Sequence, residues 1–364
     1  MLNRQRILPC ARDVVCPKYK CSLQVNCDED DLTIKERNRR VIYEGDSGGD
    51  SAAYLSGNYW GFTSTGDFLD ERNYQNSRSI NYTDFRSLRL GLLPDGTIIA
   101  VKQLSSSSRQ GIQEFLNEIG LTSCLQHPNL VKLYGCCMEG DQLVMVYEYM
   151  ENNSLAHVLF DRSSDSNKSQ LMLDWPTRFQ ICIGIARGLA FLHEESTLKI
   201  VHRDIKATNV LLDKDLNPKI SDFGLARLNE DEKTHISTRV AGTIGYMAPE
   251  YALWGYLTEK ADVYSFGVVL LEIVSGKRNN NYMPSDNFTC LLDWANQLQE
   301  SKKMDELVDE RLGSRADTEE IDRVVKVALV CTNATPSVRP TMSEAVQMLE
   351  GKMAVGSPYN KDVR

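Results

Sequence analysis

"IVHRDIKATNVLLD", Ile200–Asp213, decides how the rest of this chain is read. An apolar pair leads into His202-Arg203-Asp204. A lysine, Lys206, stands two residues after Asp204, and Asn209 stands five residues after it. Three polar groups are thus gathered at the end of one apolar strand and just before another. "KISDFGLAR", Lys219–Arg227, follows, and then "GTIGYMAPEY", Gly242–Tyr251. Polar side chains placed in order at strand ends and turns, on an otherwise apolar frame, mark a site of chemistry.

The frame is large enough to carry one. The chain has 364 residues, which allows two or three ordinary domains and at least one large core. Apolar residues at 42% and charged residues at 25% belong to a folded globular chain, not a disordered one. A net charge of −9 argues against a nucleic-acid surface. The ten cysteines divide. Cys124, Cys136, Cys137, Cys182, Cys290 and Cys331 are scattered through apolar stretches and fit reduced thiols. Cys10, Cys16, Cys21 and Cys27 crowd the N-terminus without paired Cys-x-x-Cys spacing, which fits an oxidised, extracellular origin. The sequence displays neither a signal peptide nor an apolar run of about 18 residues, so the expectation is a soluble chain.

Periodicity then places the elements. "GTIIAVKQL", from Gly96, reads as a β-branched strand entered from a "LPDG" turn. "QGIQEFLNEIGLTSCL" carries Ile112, Phe115, Leu116 and Ile119 at helical spacing. "LVKLYGCC" and "QLVMVYEYM" read as two more strands. "DWPTRFQICIGIARGLAFLHE" opens with an N-cap and a first-turn proline and continues as a long helix. Further helical segments surround Val263–Ser275, Leu291–Gln299 and Ile321–Cys331. A few strands followed mostly by helices predict an α+β chain with two lobes of different class. The stretch 71–91 is polar and aperiodic and reads as a junction.

Together the motifs resemble the catalytic loop, the Asp-Phe-Gly and the Ala-Pro-Glu of eukaryotic protein kinases. "LLPDGTIIAVKQL", "HPNLVKLYGCC", "VYEYMENNSL" and "DVYSFGVVLLEIVSGKR" resemble the cytoplasmic domain of plant receptor-like serine/threonine kinases. The resemblance implies a two-lobed kinase fold over 92–351, with an N-lobe at 92–150 and a helical C-lobe at 151–351. A tail at 352–364 follows. It implies ATP and Mg²⁺ as cofactors, and protein serine and threonine hydroxyls as substrates. Autophosphorylation and receptor-kinase partners are implied as well. Asp204 would accept the proton of the attacking hydroxyl, and Lys206 would neutralise the γ-phosphate. Asn209 and Asp222 would hold Mg²⁺ through oxygen. Lys102 would reach the α- and β-phosphates and pair with Glu118. Tyr147 would be the gatekeeper, Glu148 to Met150 the hinge at the adenine edge, and Ala100 and Leu211 the faces enclosing the ring. Glu250 would bridge to Arg339, and Asp262 would anchor the catalytic loop. Arg203 would bind a phosphorylated activation loop at Thr234, Ser237 or Thr238. Thr243 fits the same serine/threonine reading. Thr122, one turn after Glu118, stands where the family prefers an apolar side chain.

One expected feature is missing from the sequence. This family carries a Gly-x-Gly-x-x-Gly-x-Val hairpin ahead of the "LLPDG" turn, whose backbone donors cover the phosphates. Here "SRSINYTDFRSLRLG" stands in its place, with Gly91 as its only glycine. An incomplete N-lobe sheet follows, with the first strand and most of the second absent. The alternative to an enzyme is therefore a catalytically impaired, pseudokinase-like interaction module. Upstream, "CPKYKCSLQVNCDEDDLTI" and "YEGDSGGDSAAYLSGNYWGFTSTGDFLD" resemble the start of a malectin-like β-sandwich. This predicts a tail at 1–15 and a partial malectin-like fragment at 16–70, without a sugar site. By resemblance the kinase region would lie beneath the plasma membrane.

Overall fold

The structure is a computed structural model. It describes the backbone of strands between residues 14 and 55, and residues 88–92, 96–105, 109–139, 142–161, 171–228, 236–237, 240–279, 290–315 and 317–356. The chain divides into two compact units, Met1–Gln126 with Val131–Tyr149, and His127–Leu130 with Met150–Arg364. The first holds the two larger sheets and one helix, and the second holds the remaining helices with three short strand pairs. This is the mixed α/β, protein-kinase-like architecture expected from the order of the elements.

In the first unit, β1 (Val14–Cys16), β2 (Tyr19–Asp28), β3 (Asp31–Glu36), β4 (Val41–Tyr43) and β5 (Ala53–Leu55) form an antiparallel sheet of their own. The cysteine side chains on these strands, and most of the segment predicted to be malectin-like, lie outside the described residues.

A second sheet begins earlier than expected. β6 (Leu88–Leu92) pairs antiparallel with β7 (Ile98–Ser105), Leu88 opposite Lys102 and Leu92 opposite Ile98. The predicted junction at 71–91 therefore ends in a sheet strand, and the sheet starts upstream of Leu92. Its signal is the alternation Leu88, Leu90, Leu92, which the polar residues before it dilute. Residues 71–87 lie outside the described residues. β8 (Leu133–Glu139) and β9 (Gln142–Glu148) complete a four-stranded sheet in the order β6-β7-β9-β8. Helix α1 (Arg109–Thr122) buries Phe115 and Ile119 of the expected stripe together with Glu118, while Ile112 and Leu116 are half-buried.

The second unit is built on helices. α2 (Leu155–Phe160) precedes α3 (Trp175–Ala190), where Asp174 caps the first turn by accepting from the Thr177 amide at 3.0 Å. Pro176 stands in that turn, where its missing N–H costs nothing. The helix ends in a π-helical turn, Phe191–Glu195. Short strand pairs follow: β10 (Ile200–Val201) with β13 (Arg227–Leu228), and β11 (Val210–Leu212) with β12 (Pro218–Ile220). β14 (Ile236–Ser237) pairs with β15 (Tyr256–Leu257), on either side of α4 (Pro249–Trp254).

Helix α5 (Glu259–Ser275) is buried along nearly its whole length. An apolar surface on all sides makes a helix the core of its unit. Burial of Phe266, Leu270, Leu271 and Ile273 stabilises the unit by about 1.5–3 kcal/mol each. α6 (Leu291–Ser301), α7 (Thr318–Cys331) and α8 (Met342–Leu349) complete it. Glu250 and Arg339 meet as a buried two-pronged pair at 2.7 and 2.8 Å. Among the described residues no helix is long and apolar enough to cross a membrane.

Candidate active site

The Ile200–Asp213 stretch turns sharply after β10, and the turn forces Arg203 to φ +73°. Asp222 is likewise left-handed, at φ +67°. Such conformations cost a non-glycine residue on the order of 1–3 kcal/mol and persist where surrounding contacts enforce them. The enforcement is visible. Asp262, on α5, accepts from the His202 amide at 2.7 Å and the Arg203 amide at 2.8 Å. It also bonds His193 Nε2 at 3.0 Å. Burial alone would raise the Asp262 carboxyl, but His193 and these donors hold it below its ordinary value.

The carboxylate of Asp204 is held at both oxygens. Oδ1 accepts from the Thr243 hydroxyl at 2.7 Å. Oδ2 accepts from Lys206 Nζ at 2.8 Å and from Asn209 Nδ2 at 3.0 Å. Lys206 also donates to Thr243 Oγ1 at 2.8 Å, closing a ring of three side chains. The result is an Asp204 side chain with a hydroxyl donating to one oxygen and the Lys206 amine beside both partners. Gly242, just before Thr243, has φ +130°, and a Cβ there would come within 2.6 Å of the Arg203 carbonyl oxygen. Glycine is what allows the two segments to approach so closely.

Asn209 donates through Nδ2 to both the carbonyl and the carboxylate of Asp204, at 2.9 and 3.0 Å. Those two acceptors fix the amide nitrogen, so Oδ1 faces the opposite way. The backbone also ties Asn209 to the Asp222 segment, since Ser221 donates its amide to the Asn209 carbonyl at 2.9 Å. An amide oxygen and a carboxylate are hard donors, which fits them to Mg²⁺.

In the first unit Lys102 Nζ donates to Glu118 Oε2 at 3.1 Å. Tyr147 donates to the other oxygen, Oε1, at 2.6 Å. Glu118 is 1% exposed, so both donors act where water screens little. Thr122 is buried as well, and its hydroxyl is satisfied by donating to the Glu118 carbonyl at 2.6 Å. Ala100 is buried on β7 opposite Tyr147 of β9. Glu148 accepts from the Lys132 amide at 2.7 Å. Met150 is buried in the second unit, where Leu211 lies on β11.

Arg203 is buried and already engaged. Its Nε donates to the Tyr251 hydroxyl at 3.1 Å, Nη1 donates to the Leu225 carbonyl at 3.0 Å, and Nη2 donates to Tyr251 too. Tyr251 also links to Ala241, accepting from its amide at 2.9 Å. Thr234 and Thr238 lie outside the described residues, and so does the side chain of Ser237. Two supporting residues escape the sequence reading. Tyr251 is one. His202 is the other: its Nδ1 accepts from the Asp204 amide at 3.3 Å, so Nε2 carries the proton donated to the Ser221 carbonyl at 3.0 Å. Its adjacency to Arg203 and Asp204 was the available signal, but only the fold brings it to Ser221.

Comparison with known proteins shows the family. The profile of the protein tyrosine and serine/threonine kinase family matches residues 80–349. A probable LRR receptor-like serine/threonine-protein kinase of Arabidopsis thaliana is 63% identical over 289 residues, covering 79% of this chain and 28% of the relative. Another from the same plant, RFK1, is 64% identical over 279 residues, covering 77% and 27%. Cold-responsive protein kinase 1 of Arabidopsis thaliana is 53% identical over 268 residues, covering 74% and 68%. The chain thus spans between a quarter and a third of the length of its receptor-like relatives. The chain belongs to the protein tyrosine and serine/threonine kinase family.

Proposed function

We propose that this chain is a serine/threonine protein kinase of receptor-like type, moving the γ-phosphoryl group of ATP to protein hydroxyls. One observation carries the reading: a threonine hydroxyl donates to Asp204 Oδ1 at 2.7 Å while Lys206 Nζ contacts both partners. A substrate hydroxyl placed like that of Thr243 gives its proton to Asp204 as its oxygen attacks phosphorus. Lys206 then offsets the negative charge growing on the transferred group. Lys102, oriented by Glu118, binds the α- and β-phosphates. Ala100, Tyr147, Glu148, Met150 and Leu211 serve the adenine.

Asn209 Oδ1 and the Asp222 carboxylate are the Mg²⁺ ligands in this reading. When bound, that ion neutralises charge across the β- and γ-phosphates. Phosphate on Thr234, Ser237 or Thr238 pairs with Arg203, sharing it with Tyr251. Thr243 completes the regulatory set through its contact with Asp204.

We also read residues 16–70 as a malectin-like fragment and the chain as lacking its glycine-rich hairpin. The kinase region acts beneath the plasma membrane, with receptor-kinase partners. The name-level likeness to receptor-like kinases supports that placement. Incubation with Mg²⁺-ATP and a mixed protein substrate, followed by phosphoamino-acid analysis, tests the substrate class. Phosphoserine and phosphothreonine are expected, and phosphotyrosine as the main product contradicts the reading.

A further inference from the structure

Glu272 is wholly buried on α5, away from Asp204 in sequence and unused by the chemistry above. Its Oε1 accepts from the Tyr246 hydroxyl at 2.7 Å and from the Asn279 amide at 2.9 Å. Its Oε2 is buried with no hydrogen-bond partner. Two donors on one oxygen favour the carboxylate, whereas a bare, dry second oxygen favours the acid. Burial is the larger effect and raises the carboxyl from 4.5 to about 7, against the Asn279 amide, the Tyr246 hydroxyl and the Arg278 charge. Glu272 therefore sits near balance at neutral pH.

Both of its partners reach the turn that carries Thr243. Tyr246 donates its amide to the Thr243 carbonyl at 3.1 Å, and its own carbonyl accepts from Ser265 Oγ at 2.6 Å. Asn279 donates through Nδ2 to the Gly245 carbonyl at 2.8 Å. The charged and titratable groups around the pair come from three places. Tyr246 lies on the turn, Arg278 follows α5, and Asp204 of the catalytic loop acts on Tyr246. Burial and the Glu272 charge push the Tyr246 phenol far up, so it remains a donor throughout.

We propose that Glu272 is a proton-gated positioning residue for Thr243. As a carboxylate it grips Tyr246 and Asn279 and fixes the 243–246 turn against Asp204; as the acid it releases part of that grip. Charge assistance roughly doubles a hydrogen bond, which sets the size of the gate at about fivefold in the fraction of correctly placed turn. The proposal rests on the reading of Thr243 as a regulatory residue in contact with Asp204, so its test uses a readout that does not need catalysis.

Amide resonances of Asn279 and Tyr246 are followed by NMR in the full chain and in Glu272→Gln, from about pH 5.5 to about pH 8.5. The Asn279 amide reports directly on the oxygen it touches, and protection of the Tyr246 amide reports the turn. The proposal expects both to titrate together near neutral pH in the native chain and neither to do so in Glu272→Gln. An unmoved Asn279 amide overturns it, as does the same titration in the variant, or an Asn279 titration with no change at Tyr246. If Glu272→Gln does not fold, the protonated-carboxyl infrared band of the native chain decides instead. That band must fade near neutral pH together with the amide change, and loss near the ordinary glutamate range contradicts the proposal. A chain that transfers no phosphate at any pH counts against the kinase reading, while the amides still decide the role of Glu272.

Discussion

Tyr147 donates its hydroxyl to Glu118 at 2.6 Å, so the carboxylate that holds Lys102 is itself held from a neighbouring strand. Tyr147→Phe leaves Glu118 Oε1 without this donor in a nearly dry site. The loss is expected to cost about 1–3 kcal/mol of stability. Urea unfolding measures it, and an unchanged midpoint shows that Lys102 alone suffices to hold Glu118.

Thr243 links Asp204 and Lys206. Thr243→Ala removes a donor from the base and an acceptor from the lysine, and is expected to lower kcat by about tenfold or more with the fold intact. Thr243→Ser keeps the hydroxyl and should stay within about threefold of the native rate. Steady-state rates with circular dichroism as the folding control check this. Equal rates for the alanine and serine variants contradict a role for the hydroxyl.

The buried carboxylates pull stability in opposite directions with pH. Glu272 binds its proton more tightly folded than unfolded, so between 4.5 and about 7 the folded state holds the extra proton and its stability falls as pH rises. The full effect is on the order of 3 kcal/mol, and Glu272→Gln should abolish it. Asp309 runs the other way. Burial would raise its carboxyl, but Arg311 and Arg178 together hold it below 3.8, so its contribution is present above that value and lost in acid. Denaturant midpoints across the pH range separate the two, and a Glu272→Gln curve parallel to the native one refutes the assignment.

The fold was legible wherever side-chain period and motif agreed. Asp174 and Pro176 announce α3, the stripe on α1 announces its buried face, and Glu250 and Arg339 meet as their resemblance implied. The sheet's first strand was hidden because Leu88, Leu90 and Leu92 are too few to outweigh the polar residues upstream. What the sequence concealed about the site is mostly support. No local pattern links His202 to Ser221, Tyr251 to Arg203 or Tyr246 to Glu272, because each contact joins segments that meet only after folding. The role expected of Asp204 came from the family resemblance, and nothing local in the sequence signalled the Thr243 hydroxyl upon it.

The proposed absence of the glycine-rich hairpin gives a gain-of-function prediction. Charge-assisted bonds to phosphate are worth roughly 1.5–3 kcal/mol each, so losing two weakens ATP binding by about 10²–10⁴ before non-additivity. Grafting a Gly-x-Gly-x-x-Gly-x-Val hairpin ahead of Leu88 should restore most of that. Calorimetric titration with Mg²⁺-ATP measures the change, and equal affinity before and after the graft removes the hairpin from the account.

The most direct measurement is phosphate transfer from radiolabelled ATP, comparing the native chain with Asp204→Asn under identical conditions. The variant keeps the shape of the loop and removes the base that Thr243 and Lys206 surround. The account predicts label on protein serine and threonine with the native chain, and loss of nearly all of it with Asp204→Asn. Equal label from the two proteins would contradict it.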